Sequence, residues 1–523
     1  MLASYRWFRA YPYDCTEQLS SVGRGVIAVW EATKGENRDA LGGDPRAKLQ
    51  EIADEISRRQ RSDGAFRYWP SVSWSSAWLT AYAGSFLLEA RDLGVSVSPG
   101  VIKLAVGYLS NVARAPVDTG GMNRFEQRDR RLALGGRIAA VEFLRRAGSP
   151  DTAAERRLMS VGAAMTWEDR LRIAELTATR GDLRASADSI IDAAWREVTV
   201  VGHRVDLPDS ANGPREFPSR VAPAARLLSA TLVLRPTHRL LAALVETVLQ
   251  QGRAESRFAW STQDYASLVM ALAHFGDGDS GNRTVNARAG NQRFVARAQA
   301  KGMDTSIVTS LSGLLETLPT GKQVLRLHVE TSPDQRPVYF ALEVIEVPLA
   351  VPVTPDIQGI VVERWYEGFD DGKPVTRVEE GDLVRVRLRV TVPADRAFVA
   401  LEDPLPAGLE PVDTGLRTSS LGAFAPTSGR NSAVEIERST WQGFLYGRWD
   451  GGRWSPWEHQ ELHDDRVSYF ARVLWTGSYT ASYIARATTA GSFVAPPAYA
   501  EEMYNPALQG RTGGVRFVVR GKP

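Results

Sequence analysis

The stretch Gln60-Arg61-Ser62-Asp63-Gly64-Ala65-Phe66-Arg67-Tyr68-Trp69-Pro70 decides the fold of the first half of the chain. Its form is Gln-x3-Gly-x-Phe. The glycine suits a tight turn and the aromatic can pack beneath it. Helical spacing flanks the turn on both sides. Leu49, Ile52 and Ile56 precede it, and Trp78, Leu79, Tyr82, Phe86, Leu87 and Leu88 follow, as far as Gly94. Working outward, a helix after Cys15 runs through Val26, Ile27, Val29 and Trp30. Others hold Ile102 to Leu109 and Leu132 to Leu144, the latter stopped by Gly148-Ser149-Pro150. Further helices centre on Leu171–Leu176, Ile190–Trp195, Leu227–Leu234, Leu240–Val248 and Leu268–Leu272. Ser261-Thr262-Gln263-Asp264 is a good N-terminal cap for the last. Short helices joined by short turns form either an open solenoid or a closed toroid of helical hairpins.

Past Gly276–Asn282 the period changes from helical to two. Val324 to Val329 and Tyr339 to Val344 suggest strands. Pro348, Pro352 and Pro355 stiffen a linker. Beyond it Val384, Val386, Leu388, Val390 and Val392 alternate with Arg385, Arg387, Arg389 and Thr391, giving a strand with one wet, basic face. The alternation returns at Tyr479–Ala487 and a last strand runs through Val515 and Phe517. The expected organisation is an α/α toroid at 1–282, the returning part of a small β-domain at 283–350, and an antiparallel β-sandwich at 356–523.

Composition narrows the function. The chain has 523 residues, 63 Lys+Arg against 61 Asp+Glu, and a formal net charge of +2. That balance gives no electrostatic reason to expect nucleic acid as a partner. No apolar run is long enough to span a membrane, so direct membrane insertion by this segment is not expected. One cysteine allows no internal disulfide and no cysteine-based zinc cluster. No phosphate-binding, dinucleotide-binding or HExxH motif occurs, and neither a cofactor nor a metal is implied.

The residues that point to chemistry are Tyr11-Pro12-Tyr13-Asp14-Cys15-Thr16-Glu17-Gln18. A lone cysteine is usually a buried, unreactive thiol. Here Gln18 lies three positions on and faces it across one helical turn, with Glu17 in the same turn. No papain- or caspase-like signature surrounds Cys15, so a cysteine protease is the weaker reading. Cys-x-Glu-Gln is the thioester signature of the alpha-2-macroglobulin and complement proteins, and the YPY lead-in resembles the bacterial alpha-2-macroglobulins. Trp78-Leu79-Thr80-Ala81-Tyr82, Ser261-Thr262-Gln263-Asp264 and Glu501-Glu502-Met503-Tyr504-Asn505-Pro506 are similar to that family too, so the resemblance covers essentially the whole chain. The Gln-x3-Gly-x-Phe turn resembles that of toroids related to terpene cyclases and prenyltransferases, which favours the closed ring.

The resemblance implies a bond from Cys15 Sγ to the Gln18 side-chain carbonyl, formed with loss of ammonia and supported by Glu17. An incoming amine attacks that carbonyl and Cys15 leaves as thiolate, favoured by the positive helix N-terminus. The event is single-use: an endopeptidase inhibitor, not an enzyme. Tyr11 and Tyr13 are local candidates for keeping water away, joined by resemblance by Tyr504, beside Met503, from the C-terminal domain. For Tyr504 plain packing is an equal alternative. Asp14 stands where relatives commonly carry glycine; it could raise the thiol pKa or cap the helix.

Complement relatives use a histidine about a hundred residues past the thioester, and this chain has none between Cys15 and His203. The corresponding stretch is near Gly120–Asn123. Direct attack by lysine amines of a target protease is therefore expected. The resemblance further implies a longer parent with upstream macroglobulin domains, periplasmic and tethered by lipid. This chain alone is expected to trap nothing. Two alternatives come from other classes: an α/α-toroid lyase or cyclase, and a binding module whose thioester never forms.

Overall fold

The computed structural model describes residues 11–32, 44–116, 124–251, 261–276, 283–298, 309–310, 326–331, 351–413 and 448–521, apart from residues 12, 290–291 and 451–452. Gly120–Asn123, Asp277–Asn282, Val324, Leu325, Tyr339–Val344 and Pro348 lie outside the described residues. The chain forms two compact units, residues 1–255 with 262–345, and 346–523 with 256–261.

The first unit contains eleven described α-helices. They are α1 (Thr16–Ala32), α2 (Arg46–Arg58), α3 (Ala77–Asp92), α4 (Pro99–Arg114), α5 (Arg124–Arg146), α6 (Thr152–Ser160), α7 (Trp167–Thr177), α8 (Arg184–Glu197), α9 (Ala222–Leu234), α10 (Leu241–Gln251) and α11 (Thr262–Gly276). The turn between α2 and α3 behaves as its sequence requires. Gly64 has φ +95°, and a Cβ there would lie 2.2 Å from the Leu104 carbonyl oxygen. Gln60 Nε2 donates to the carbonyls of Gly64 (3.1 Å) and Val101 (2.9 Å), tying the turn to α4. Phe66 is fully buried. The last helix, α11, packs along the first, α1, so the series closes on itself as a toroid and not an open solenoid. Helix α3 seats α1 closely: a Cβ on Gly23 would lie 2.2 Å from the Phe86 ring.

Within the ring, a short helix and a hairpin have no counterpart in the sequence reading. Helix α6 follows the Gly148-Ser149-Pro150 stop at once, capped by Asp151, which accepts from Ala154 N. Its nine residues bury little more than Ala154 and Leu158, too few to show a period. A hairpin, β1 (Thr199–Val201) with β2 (Arg204–Asp206), interrupts the ring after α8. The same unit carries a three-stranded antiparallel sheet, β4 (Gln292–Ala298), β3 (Arg283–Ala289) and β5 (Leu327–Thr331) in that order.

The second unit is a β-sandwich. One sheet has the order β14 (His459–Leu462), β15 (Arg466–Leu474), β10 (Arg396–Pro404), β18 (Tyr499–Glu502), β19 (Gln509–Arg511) and β6 (Asp356–Gln358). The other runs β11 (Leu409–Pro411), β16 (Gly477–Ala487), β9 (Leu383–Val392) and β7 (Val361–Gly368). The valines of β9 and the tyrosines and alanines of β16 fill the core between the sheets, as their alternation requires. Strand pairs are antiparallel except β20 (Val515–Arg520) with β8 (Arg377–Glu379), which is parallel. Two of the three arginines of β9 are answered by acids. Arg389 pairs with Glu363 and Arg387 with Glu367, both on neighbouring β7.

Candidate functional site

Helix α1 begins at Thr16, so the capping position belongs to Cys15 and not to Asp14. Cys15 N–H donates to Gln18 Oε1 at 3.0 Å, and Gln18 N–H reaches back to Cys15 Sγ at 3.4 Å. This is a reciprocal capping box in which sulfur replaces the usual hydroxyl. It holds the sulfur and the side-chain amide on one side of a single turn, facing each other. Both residues are fully buried. The turn is anchored from behind. Thr16 N–H donates to the Tyr68 carbonyl (2.9 Å) and Thr16 Oγ1 to the Arg67 carbonyl (2.5 Å), within the stretch that follows the Gly64 turn. Buried Arg59 donates to the Asp14 carbonyl at 2.8 Å, while the exposed Asp14 carboxylate lies 3.8 Å from Arg59 Nη2.

Glu17 faces away from Gln18 into the seam between α1 and α11. Its carboxylate accepts from Ser21 Oγ, from Thr262 Oγ1 (2.8 Å) and from Gln263 Nε2 (2.6 Å). Ser21 Oγ also meets Tyr82 Oη at 3.0 Å. Burial pushes the Tyr82 phenol up despite the Arg24 guanidinium 4.7 Å from its ring. Burial works against the charge on Arg24, and Glu89, which it clasps with two nitrogens, outweighs it. Thr262 and Gln263 thus serve the first helix of the ring. Asp264 accepts from Ser219 Oγ (2.6 Å) and from the N–H of Arg220 and Val221, tying down the entry to α9.

Of the aromatic candidates, Tyr11 meets the Cys15–Gln18 turn directly: Gln18 Nε2 donates to Tyr11 Oη at 3.3 Å. Tyr13 is buried and meets the Tyr11 ring edge-on, with centroids 5.5 Å apart. Met503 and Tyr504 belong to the sandwich unit. There Met503 N–H donates to the Phe398 carbonyl (2.9 Å) and the Tyr504 ring packs edge-on against Phe398 at 5.0 Å. Ser21 and Arg59 were given no role in the sequence reading, and Tyr82 was read there only as part of a helix and of a family-like stretch. Ser21 carried one usable signal, its place one helical turn after Glu17.

The centre of the ring is a cavity of about 810 Å³. Seven carboxylates line it, as a lyase or cyclase would need, and arginines answer five of them. Glu89 pairs with Arg24 and Arg146, Glu142 and Asp169 with Arg172, Glu168 with Arg215, and Glu175 with Arg226. Carboxylates committed in this way brace the ring; against burial, Arg215 helps hold Glu168 below its ordinary value, while burial pushes Asp169 up despite Arg172. Among the described residues no group of three or more His, Cys, Asp or Glu side chains could hold a metal ion.

Residues 359–507 match the family model of the bacterial alpha-2-macroglobulin MG10 domain. Alpha-2-macroglobulin of Xylella fastidiosa (strain Temecula1) is 27% identical over 97% of the chain, which spans only 29% of that relative's length. Native Escherichia coli alpha-2-macroglobulin, in a crystal structure spanning domain MG7 to the C-terminus, superposes with a TM-score of 0.69 at 22% identity. That match covers 99% of this chain and 75% of the other. Salmonella alpha-2-macroglobulin reacted with methylamine gives 0.69 at 21% identity, over 99% of this chain and 31% of that one. In sequence the chain is similar to the bacterial alpha-2-macroglobulins, with residues 359–507 matching their MG10 domain, and in fold it resembles their C-terminal part.

Proposed function

We propose that the chain is the thioester-bearing part of an alpha-2-macroglobulin-type peptidase inhibitor, with Cys15 and Gln18 as the bond-forming pair. The observation that supports this most is the reciprocal capping box, which brings Sγ and the side-chain amide together inside one buried turn. Cys15 Sγ adds to Gln18 Cδ, the C–N bond breaks and ammonia leaves. The stored thioester later acylates a lysine amine of a captured protease, leaving an amide on Gln18 and a thiol on Cys15. Cys15 N–H, already on Oε1, is placed to hold the negative charge that oxygen gains in both steps. Burial limits access of water to the bond. Tyr11 and Tyr13 are the local shield. Protease recognition and the collapse that delivers the target belong to upstream domains of a parent chain, which we place in the periplasm on a lipid tether.

Intact mass tests the reading. The folded chain should weigh about 17 Da less than its sequence, and methylamine should add while exposing one titratable thiol. Full mass with a titratable thiol from the outset would refute it and leave a binding module.

A further inference from the structure

We propose that the Tyr11 hydroxyl transfers the proton in this chemistry, serving first the nitrogen that leaves and later the nitrogen that enters. The inference rests on the thioester reading. Its ground is geometric. Gln18 Nε2, the atom that departs as ammonia, lies 3.3 Å from Tyr11 Oη. The lysine nitrogen of a target takes the same place on the same carbon.

Forming the bond and capturing an amine are one reaction run in opposite directions. A thiol and an amide give a thioester and an amine, and the reverse. A group that acts as acid in one direction acts as base in the other. During formation Sγ adds to Cδ and charge gathers on Oε1, against Cys15 N–H. The amide nitrogen loses its conjugation and gains a lone pair. Tyr11 gives it the phenol proton, the C–N bond breaks and ammonia leaves. The thiol proton then restores the phenol, so the net change is the transfer of the thiol hydrogen to ammonia. During capture the entering amine adds to Cδ and the phenol proton goes to sulfur as the C–S bond breaks. The phenolate oxygen so formed takes the proton that the amine loses, which restores the phenol. Phenols and alkylammonium ions titrate within about half a unit of each other, so neither transfer runs steeply uphill.

Shielding is a property of the ring and proton transfer a property of the hydroxyl, so the two separate by mutation. Tyr11→Phe keeps the ring. We expect it to fold and melt as the parent does, to resist hydrolysis as well as the parent, and to take up methylamine about 100-fold more slowly. A folded Tyr11→Phe chain that retains full mass, having failed to lose ammonia, also supports the proposal. Uptake at the parental rate overturns it and leaves Tyr11 as a shield only. A fluorotyrosine at position 11, with its more acidic phenol, should move the pH profile of methylamine uptake to lower pH; an unmoved profile counts against the proposal. If the unaltered chain shows neither the mass deficit nor methylamine uptake, the thioester reading itself has failed, a result distinct from a parental rate in the variant.

Discussion

Glu17 in the helical ring and Asp403 in the sandwich are both fully buried, and they are stabilised in different ways. Asp403 on β10 meets Arg364 on β7 at 2.6 Å and accepts from Tyr483 Oη on β16 at 2.8 Å, so one ion pair ties the two sheets together. Burial works against the charge on Arg364, and Asp403 outweighs it. The donors on Glu17 include two hydroxyls and an amide, two of the three from the last helix of the ring. The sandwich thus spends a pair of charges on holding its layers. The ring closes its seam with neutral donors one residue from Gln18, so ring closure and the geometry of the Cys15–Gln18 turn are linked.

Removing one partner of each network sharpens the contrast. Asp403→Ala leaves a buried guanidinium without its carboxylate, and should destabilise the sandwich by about 3–5 kcal/mol in urea denaturation. Replacing Asp403, Arg364 and Tyr483 together by apolar residues of similar volume should recover much of that loss. A loss under 1 kcal/mol for Asp403→Ala would break the comparison.

Glu501 is a third case, buried with the Tyr499 hydroxyl as donor. Burial raises its pKa from 4.5 to about 8, with the Tyr499 bond opposing. A carboxyl raised in the folded state contributes stability fully present below its unfolded value and lost as pH rises through the folded one. The native state holds the extra proton across that window, so unfolding free energy should fall between about pH 4.5 and pH 8, on the order of 2–4 kcal/mol. Glu501→Gln should flatten this slope in denaturation followed across pH. A slope identical in the variant would assign the effect elsewhere.

Glu17→Ala should cost less than Asp403→Ala, about 1–3 kcal/mol in denaturation of the helical unit, because the orphaned partners include hydroxyls and an amide. It should also slow methylamine uptake, since Gln18 adjoins the loosened seam; unchanged uptake would uncouple ring closure from the site. The smallest effect belongs to the outer face of β9. Arg389 and Glu363 are both nearly half exposed, and Arg389→Gln should change stability by under about 1 kcal/mol, less still at high salt.

Much of the architecture was legible in the residues. Helical spacing, Gly64 and Gly94 located the hairpins, and alternation in β9 and β16 located the sandwich core. These signals are local, carried by backbone sterics and by which side of an element meets water. The first turn of α1 was legible in part: residues three apart on a helix lie on one side, so Cys15 and Gln18 were expected to face each other, while a bond between them came from the family resemblance. Tertiary structure decided the rest. Nothing at Glu17 names Thr262 and Gln263, 245 and 246 residues away, as its partners. Nothing at Arg364 names Asp403, and nothing in the arginine-rich pattern of β9 shows that glutamates on β7 pair with two of its three arginines. A hydrogen-bonding side chain states what kind of partner it needs, but which one it meets follows from where the closed ring and the paired sheets bring distant segments together.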